Sequence, residues 1–209
     1  EKNKCPGNLV NITVEAANLA KKVGDDKYNG MLTAPSMTCT KLTVVDDGVN
    51  FVDSVQLKFA ADSTWIGDMT IKIVSPDMKV LTVLNRPTAG APLPDNGSNG
   101  NGNDNGRGVD LLKKDLLTFR NGGATPAAAM GSTLTDHFPQ PGDWVCQDDT
   151  FCDYAPSPGN GQGTDFGDFR GDTAVGDWQV CVGDSGPGDI ITIDYLGLTF
   201  DKVKFDPVP

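Results

Sequence analysis

Residues 165–200 constrain the fold more than any other part of the sequence. Apolar side chains alternate with other residues from Trp178 to Val182 and again from Ile191 to Tyr195. A period of two places alternate side chains on one face of a β-strand, so each run predicts a strand with one buried face. The Gly- and Asp-rich residues 183–189 between the runs predict a turn. The stretch as a whole predicts a hairpin within an all-β sandwich.

The charge of the chain limits its partners. The sequence has 28 acidic and 17 basic residues, and its formal net charge is -11. This charge repels nucleic-acid phosphates and anionic membranes. No apolar run reaches the roughly 20 residues that span a bilayer, and no signal-peptide pattern follows Glu1. We therefore expect a soluble chain with no nucleic-acid partner and no membrane insertion, from which any signal peptide has been removed.

The cysteines predict disulfides rather than a zinc site. Cys146 and Cys152 bracket a short acidic loop and are the predicted pair, whereas metal-site spacing is missing and the single histidine, His137, has no partner at such spacing. Two of the remaining three cysteines are expected to form a second disulfide: Cys5, Cys39 and Cys181. Disulfides persist in oxidising compartments. The expected location is therefore secreted, extracellular or periplasmic, with one thiol left over.

The N-terminal part of the chain alternates less cleanly. Residues 12–15 are compatible with a short strand, whereas residues 15–22 contain helix-forming residues and are followed by Gly24. We interpret residues 1–38 as an N-terminal arm and residues 39–209 as one β-sandwich domain.

Four strands follow at intervals of about ten residues, a spacing typical of a sandwich. They are predicted around residues 42–45, 52–59, 69–74 and 80–84. Turns are predicted at Asp46–Gly48 and Ser75–Lys79, where Gly, Asp and Pro cluster.

Two long polar segments interrupt the strands. Residues 95–108 contain five Asn and five Gly, which predicts an exposed loop. This loop is either a flexible insertion, which the entropy of ordering glycine favours, or a Ca²⁺ ligand loop that uses Asp95 and Asp104. Residues 136–165 form a second excursion around Cys146 and Cys152, and a loop of that length is usually functional or stabilised by an ion.

Six segments together carry a resemblance to a known family: residues 55–59, 65–78 and 80–84, and later residues 169–171, 176–184 and 196–200. The first three are similar to the first half, and the last three to the second half, of the P domain, the P/homo B domain of proprotein convertases and bacterial subtilisin-like proteases. The resemblance covers about residues 39–203. It implies a jelly-roll β-sandwich, often Ca²⁺-binding, that accompanies or stabilises a catalytic domain without being one. The family's His-Thr pair is replaced by Asp62–Trp65, and only the 38-residue arm precedes the match.

Residues 183–187, Gly-Asp-Ser-Gly-Pro, are similar to the nucleophile block of chymotrypsin-like proteases. That block needs a second glycine before the proline and a histidine that can accept the proton of the serine. The second glycine is missing, and only 48 residues separate His137 from Ser185. A turn accounts for the same residues, so we expect Ser185 not to be catalytic and the chain not to be an enzyme.

Acidic side chains crowd the second long loop and its neighbourhood. Ca²⁺ takes six to eight oxygen ligands from carboxylates, carbonyls and water. The alternative interpretation is a solvated acidic face. We predict Ca²⁺ within this cluster, with the candidate ligands Asp68, Asp148, Asp149, Asp153, Asp165 and Asp168.

Three functions are compatible with the sequence. The first is a non-catalytic extracellular Ca²⁺-binding module that mediates protein–protein or surface contacts. The second is an accessory domain of, or partner to, a secreted subtilisin-like protease. The third is a structural subunit whose N-terminal arm adds a strand to a neighbour. Polysaccharide binding has less support, because the sequence has only three tryptophans as large platforms.

Overall fold

A computed structural model of the chain describes residues 8–45, 49–88, 91–97, 107–136 and 142–205. Cys5, His137, the predicted Asp46–Gly48 turn and most of the 95–108 tract lie outside the described residues.

The regular structure in the described part of the chain is β-strand, with short 3-10 helices at Ile66–Asp68, Ala127–Ala129 and Phe166–Phe169. The strands are β1 (Asn8–Ala16), β2 (Lys21–Lys22), β3 (Met37–Val44), β4 (Val49–Asp62), β5 (Met69–Val74), β6 (Val80–Asn85), β7 (Leu117–Phe119), β8 (Thr125–Pro126), β9 (Asp153–Ala155), β10 (Gly176–Asp184) and β11 (Thr192–Phe205). The predicted all-β class is confirmed. None of the helices in the described ranges is long and apolar enough to cross a membrane.

The strands form two sheets that pack as a sandwich. The larger sheet has seven strands in the order β1-β11-β4-β7-β9-β8, with β2 also paired to β11. The smaller sheet has four strands in the order β3-β10-β5-β6. Apolar side chains from both sheets form one buried cluster between them, because alternation along each strand directs every second side chain inward.

Trp178 lies at the centre of this core and is completely buried, as its alternation with Val180 predicted. Its indole N–H donates to the carbonyl oxygen of Ala174 at 2.9 Å. Its ring meets Phe169 edge-on, with centroids 5.1 Å apart, and packs at a tilt on Phe200 at 4.9 Å. Strands of both sheets therefore contact one aromatic side chain.

The predicted hairpin between the two alternating runs is wrong. Strand β10 pairs with β3 and β5 in the smaller sheet, whereas β11 pairs with β1, β2 and β4 in the larger sheet. Residues 185–191 cross from one sheet to the other. Alternation indicates which side chains are buried, but it does not indicate which strands are hydrogen-bonded to each other. Two strands that face each other across a sandwich show the same alternation as two neighbours in one sheet.

A β-bulge explains a second departure from the sequence pattern. The register between β11 and β4 shifts between Ile193 and Tyr195, which pair with Ala61 and Ala60. One extra residue reverses the faces that follow it. Ile193 is buried, but Tyr195 turns outward and its hydroxyl bonds to Glu15 at 2.6 Å.

The N-terminal segment belongs to the sandwich over its described length. Strand β1 runs antiparallel to β11 from Asn8 to Ala16, and β2 extends the contact. No helix forms over residues 15–22. Residues of the following segment cover the outer face of the smaller sheet, where Tyr28 and Met37 pack in a second, small apolar cluster.

Two disulfides form. The predicted Cys146–Cys152 bridge is confirmed, and Cys39–Cys181 is the second pair. Cys39 and Cys181 are directly opposite each other on β3 and β10. This second bridge therefore ties an edge strand to the centre of the smaller sheet.

Candidate functional site

The candidate functional site lies at the end of β10. Asp184 is the last residue of this strand and is completely buried. Its backbone carbonyl oxygen accepts hydrogen bonds from the amides of Lys27 and Tyr28, at 3.0 and 2.9 Å. The segment that covers the smaller sheet is therefore hydrogen-bonded to the end of β10, where Asp184 lies.

A second buried carboxylate, Asp68, lies beside it. Asp68 ends a 3-10 helix that leads into β5, next to β10 in the smaller sheet, and only 2% of its surface is exposed. Its carbonyl oxygen accepts from the amide of Ser185 at 3.1 Å, and one carboxylate oxygen lies 3.6 Å from a guanidinium nitrogen of Arg86. A Cβ placed on Gly186 would lie 2.0 Å from the Asp68 carboxylate. Position 186 must therefore be glycine for the carboxylate to occupy this space.

Two polar atoms at the site have no hydrogen-bond partner within the described residues. Oδ1 of Asp184 accepts from the amide of Gly186 at 3.2 Å, but its Oδ2 has no partner. The hydroxyl oxygen of Ser185, a residue only 4% exposed, is also unpartnered. Buried polar atoms are almost always satisfied, so such atoms indicate a missing ligand, ion or water.

The charged side chains that act on the Asp184 carboxyl are acidic. The pKa of the Asp184 carboxyl is raised to about 7, chiefly by burial; the amide of Gly186 opposes this rise, and the nearby carboxylates of Asp68, Asp25 and Asp189 add to it. Asp25 also accepts from the amide of Gly188, at 2.9 Å. A cation near Asp184 would stabilise its ionised form. We call Asp68, Asp184 and Ser185 the Asp184 site.

The Asp184 site offers the ligands that Ca²⁺ prefers. Two carboxylates and a hydroxyl are hard oxygen donors, and Ca²⁺ completes its shell readily with backbone carbonyls and water. Over the described ranges, no group of three or more His, Cys, Asp or Glu side chains has metal-binding geometry. A cation here would therefore depend on these two carboxylates together with neutral oxygen ligands.

The structure does not bring the six predicted ligands together. Asp68 alone belongs to the Asp184 site. Asp148 and Asp149 lie in the disulfide loop, where they accept from backbone amides of Trp144 and Cys146 at 3.0 and 2.8 Å. These bonds are those of turn-stabilising side chains.

The other predicted ligands also have local partners. Asp153 forms a two-bond ion pair with Arg120, at 2.9 and 2.5 Å. Asp165 caps the 3-10 helix Phe166–Phe169 through the Gly167 amide at 2.6 Å, and Asp168 accepts from the amide of Thr164 at the same distance.

Sequence reasoning overlooked Asp184 and Ser185 as members of the site, and Arg86 as a neighbour of Asp68. Asp184 and Ser185 were interpreted as part of a turn, and Arg86 follows β6, far from them in sequence. One signal was available: Asp184 continues the buried face set by Val180 and Val182, where an unpaired charge is costly.

A polar network adjoins the site on the outer face of the smaller sheet. Tyr28 lies against Gly183 and its hydroxyl bonds to Asp95, which also pairs with the buried Lys72 at 2.7 Å. Burial and the Asp95 carboxylate raise the pKa of Tyr28 well above its ordinary value. This network anchors residues 91–97 over the sheet without using the Asp184 carboxylate.

Comparison with known proteins gives limited similarity. No protein-family model matches the sequence, and no curated protein sequence matches it. The fold is similar to the Aeromonas sobria serine protease in complex with its chaperone, with a TM-score of 0.49 and 11% identity over 97% of this chain and 28% of that one. For the Aeromonas sobria serine protease by itself, the TM-score is 0.47 and the identity is 12%, over 95% of this chain and 28% of that one. For dimeric latent PorU from Porphyromonas gingivalis, the TM-score is 0.39 and the identity is 7%, over 97% of this chain and 14% of that one. The chain thus spans less than a third of the length of each of these proteins.

Proposed function

We propose that the chain is a non-catalytic, extracellular Ca²⁺-binding β-sandwich module that mediates protein–protein or surface contacts. The observation that carries the calcium assignment is the unpartnered Oδ2 of the buried Asp184 beside Asp68 and Ser185. An ion at this place would join the end of β10, the start of β5 and the crossing segment to β11. Its binding would hold the end of β10 and the crossing segment against the start of β5.

The positions of the sequence motifs support a P-domain-like module. The segments that resemble that family fall on β4, β5, β6, β10 and β11, together with the 3-10 helices that precede β5 and β10. Two disulfides support an oxidising, extracellular location. The resemblance also supports an alternative to the proposed function, in which the chain is an accessory or stabilising domain of a secreted subtilisin-like protease.

The environment of Ser185 supports a non-catalytic function. Its hydroxyl is buried beside Asp184 and Asp68, and negative neighbours oppose formation of an alkoxide. A nucleophilic serine needs a histidine at about 3 Å and donors aimed at the oxyanion. We therefore expect that fluorophosphonate probes leave Ser185 unlabelled in mass-spectrometric mapping. Stoichiometric labelling of Ser185 that disappears in His137→Ala would make the protein a hydrolase.

The third function, a structural subunit that donates its N-terminal strand, has less support. Strand β1 already pairs with β11 of its own chain over nine residues. Donation to a neighbour would require that pairing to open.

Calcium binding is tested by thermal unfolding with calcium or with a chelator. A ligand at 100 times its Kd stabilises the folded state by about 2.7 kcal/mol, which raises Tm by roughly 5–10 °C in a chain of this size. Asp184→Asn should abolish most of this shift, because it removes the carboxylate charge without changing its size. Asp177→Asn is the matched control, since Asp177 lies on the same strand but is exposed and pairs with Lys41.

A wild-type Tm that is the same in calcium and in chelator would contradict the assignment. So would an equal calcium shift in Asp184→Asn and in wild type. Calorimetric titration of both variants separates loss of binding from loss of stability.

A further inference from the structure

A pocket of about 250 Å³ opens on the larger sheet, on the face that points away from the core. Two cross-strand pairs form its floor: Gln56 opposite Thr199, and Ser54 opposite Asp201. These side chains point outward because they alternate with the buried Val55 and its neighbours. None of them belongs to the Asp184 site.

A gap in the sheet gives the pocket its depth. On the side of β4 away from β11, β7 pairs only with residues 57–59. Towards the other end of β4, the backbone of Val52 bonds with Gly171 and Asp172. Within the described residues, no strand pairs with residues 53–56 on this side. The missing strand leaves a notch in the sheet.

Hydrogen bonds connect the two parts of the wall of the notch. The wall is formed by Arg120 and Asn121, which follow β7, and by the start of the 3-10 helix Phe166–Phe169. The side-chain amide of Asn121 donates to Asp165 at 3.0 Å, and its oxygen accepts from the amide of Phe166 at 3.0 Å. These bonds favour the open shape of the pocket in the absence of a ligand, and such preorganisation lowers the entropic cost of binding.

The charges around the pocket already have partners. Arg120 pairs with Asp153, and Asp53 pairs with Arg170 at 2.8 Å. Asp201 accepts from Asn11 and Ser54 at 3.0 and 2.8 Å, and these bonds lower the pKa of its carboxyl. Arg120 and Asp53 are thus paired with opposite charges, whereas the partners of the Asp201 carboxylate are neutral donors. The pocket presents carboxylate oxygens, hydroxyls and amides around one cavity.

The amide of Gln56 is the least committed of these groups. It makes no side-chain hydrogen bond to the described part of the chain, and it is half-buried on the pocket floor. An amide both donates and accepts, as a hydroxyl group on a ligand does. Amide, hydroxyl and carboxylate oxygens around one cavity are suited to a ligand that carries several hydroxyl groups and no negative charge.

We propose that this pocket binds one neutral pyranose ring, as a single sugar residue of a glycan. Pockets for drug-sized ligands measure roughly 300–1,000 Å³, and the pocket here, at about 250 Å³, suits one ring. The Gln56 amide, Oδ2 of Asp53 and the remaining lone pairs of the Asp201 oxygens bind ring hydroxyls. The pocket gives the proposed module a ligand of its own, independent of calcium at the Asp184 site.

The test uses the calcium-saturated wild-type protein with glucose, galactose, mannose and N-acetylglucosamine as neutral probes. Glucuronate and glucosamine are the charged counterparts. Binding is followed in proton–nitrogen correlation spectra. We expect saturable shifts with at least one neutral sugar, confined to residues 53–56, Asn121, Gly167 and Thr199. No saturable shift with any neutral sugar, or saturable binding of the charged sugars alone, would overturn the proposal.

Substitutions at two positions of β4 distinguish an effect on the pocket from an effect on the rest of the sheet. Gln56→Ala should weaken sugar binding about 2- to 10-fold, the range expected for one neutral hydrogen bond, and Gln56→Trp should abolish it by filling the notch. Lys58→Ala is the matched control, because Lys58 lies on the same outer face of β4 opposite Gly197. Undiminished binding in Gln56→Trp that keeps the wild-type Tm would overturn the proposal. Calcium binding should be unchanged in all three variants, so the two proposals fail separately.

Discussion

At the scale of single residues, Trp178 links the two sheets. It belongs to β10 of the smaller sheet, whereas Phe200, on which it packs, belongs to β11 of the larger one. Because its N–H is satisfied by Ala174, the whole indole can be buried without an unpaired donor. Both sheets consequently depend on this one side chain.

Replacing Trp178 with alanine should lower the free energy of unfolding by about 3–5 kcal/mol, the loss expected for a large aromatic side chain removed from a core. Urea unfolding followed by circular dichroism measures this change. Trp144→Ala serves as control, because Trp144 is only partly buried and contacts Lys114 at 4.7 Å through its ring. A loss below about 1 kcal/mol would mean that the core tolerates the cavity.

Asp184 should make the stability of the calcium-free protein depend on pH. Its pKa is raised from 3.8 to about 7 by burial and neighbouring carboxylates, so the folded state binds more protons than the unfolded state between these values. The contribution of Asp184 to the free energy of unfolding is then fully present below about pH 4 and is lost as the pH rises to about 7. The change is on the order of a few kcal/mol.

Chemical unfolding in chelator across this pH range measures the effect. In Asp184→Asn the decline should flatten, because the amide does not titrate. The lowered pKa values of Asp177 and Asp201 act below pH 4 and in the opposite direction, so they do not obscure it. An equally steep decline in the variant would assign the dependence to other groups.

The candidate site shows how far single residues could be identified from the sequence. Asp68 is predicted as a ligand because it lies at the start of a strand that a jelly roll could bring alongside the acidic loop, yet the structure associates it with Asp184 rather than with the disulfide loop. The unpartnered atoms of Asp184 and Ser185 depend on which backbone amides reach them. That information comes from the packing of distant segments and has no local signature.

At the scale of elements, local pattern was a good guide to strands and a poor guide to their partners. Residues 69–74 were predicted as a strand and form β5 with those limits, and the turn at Ser75–Lys79 joins it to β6 as an antiparallel pair. This pairing is local. The hairpin of β10 and β11 was wrong because their partners, β3 and β4 among them, lie more than a hundred residues away.

Some elements had no clear pattern at all. Strands β7, β8 and β9 have only two or three residues each, and β9 pairs in parallel with both β7 and β8. Alternation needs at least four residues to be recognised. The notch beside residues 53–56 of β4 exists because β7 is so short, so the sugar pocket had no sequence signature either.

At the scale of the whole molecule, the N-terminal segment provides the strand at one end of the larger sheet. Strand β1 follows β11 residue by residue from Asn8 to Ala16. Half-buried apolar side chains on its inner face, Ile12 and Val14, pack against the main core. Polar side chains on its outer face, including Thr13, continue the hydrogen-bonded surface of the larger sheet.

This arrangement predicts opposite outcomes for two neighbouring substitutions. Ile12→Asp places a carboxylate against the core and should destabilise the protein on the order of 3 kcal/mol, from lost apolar burial and the cost of a partly buried charge. Thr13→Asp changes the adjacent, outward-facing residue, whose hydroxyl bonds to Thr199 at 2.9 Å, and should cost under about 1 kcal/mol. Urea unfolding of both variants measures the difference. Equal, small losses would mean that residues 8–16 are an arm dispensable for folding, whereas a large loss for Ile12→Asp alone would make β1 an integral strand of the sandwich.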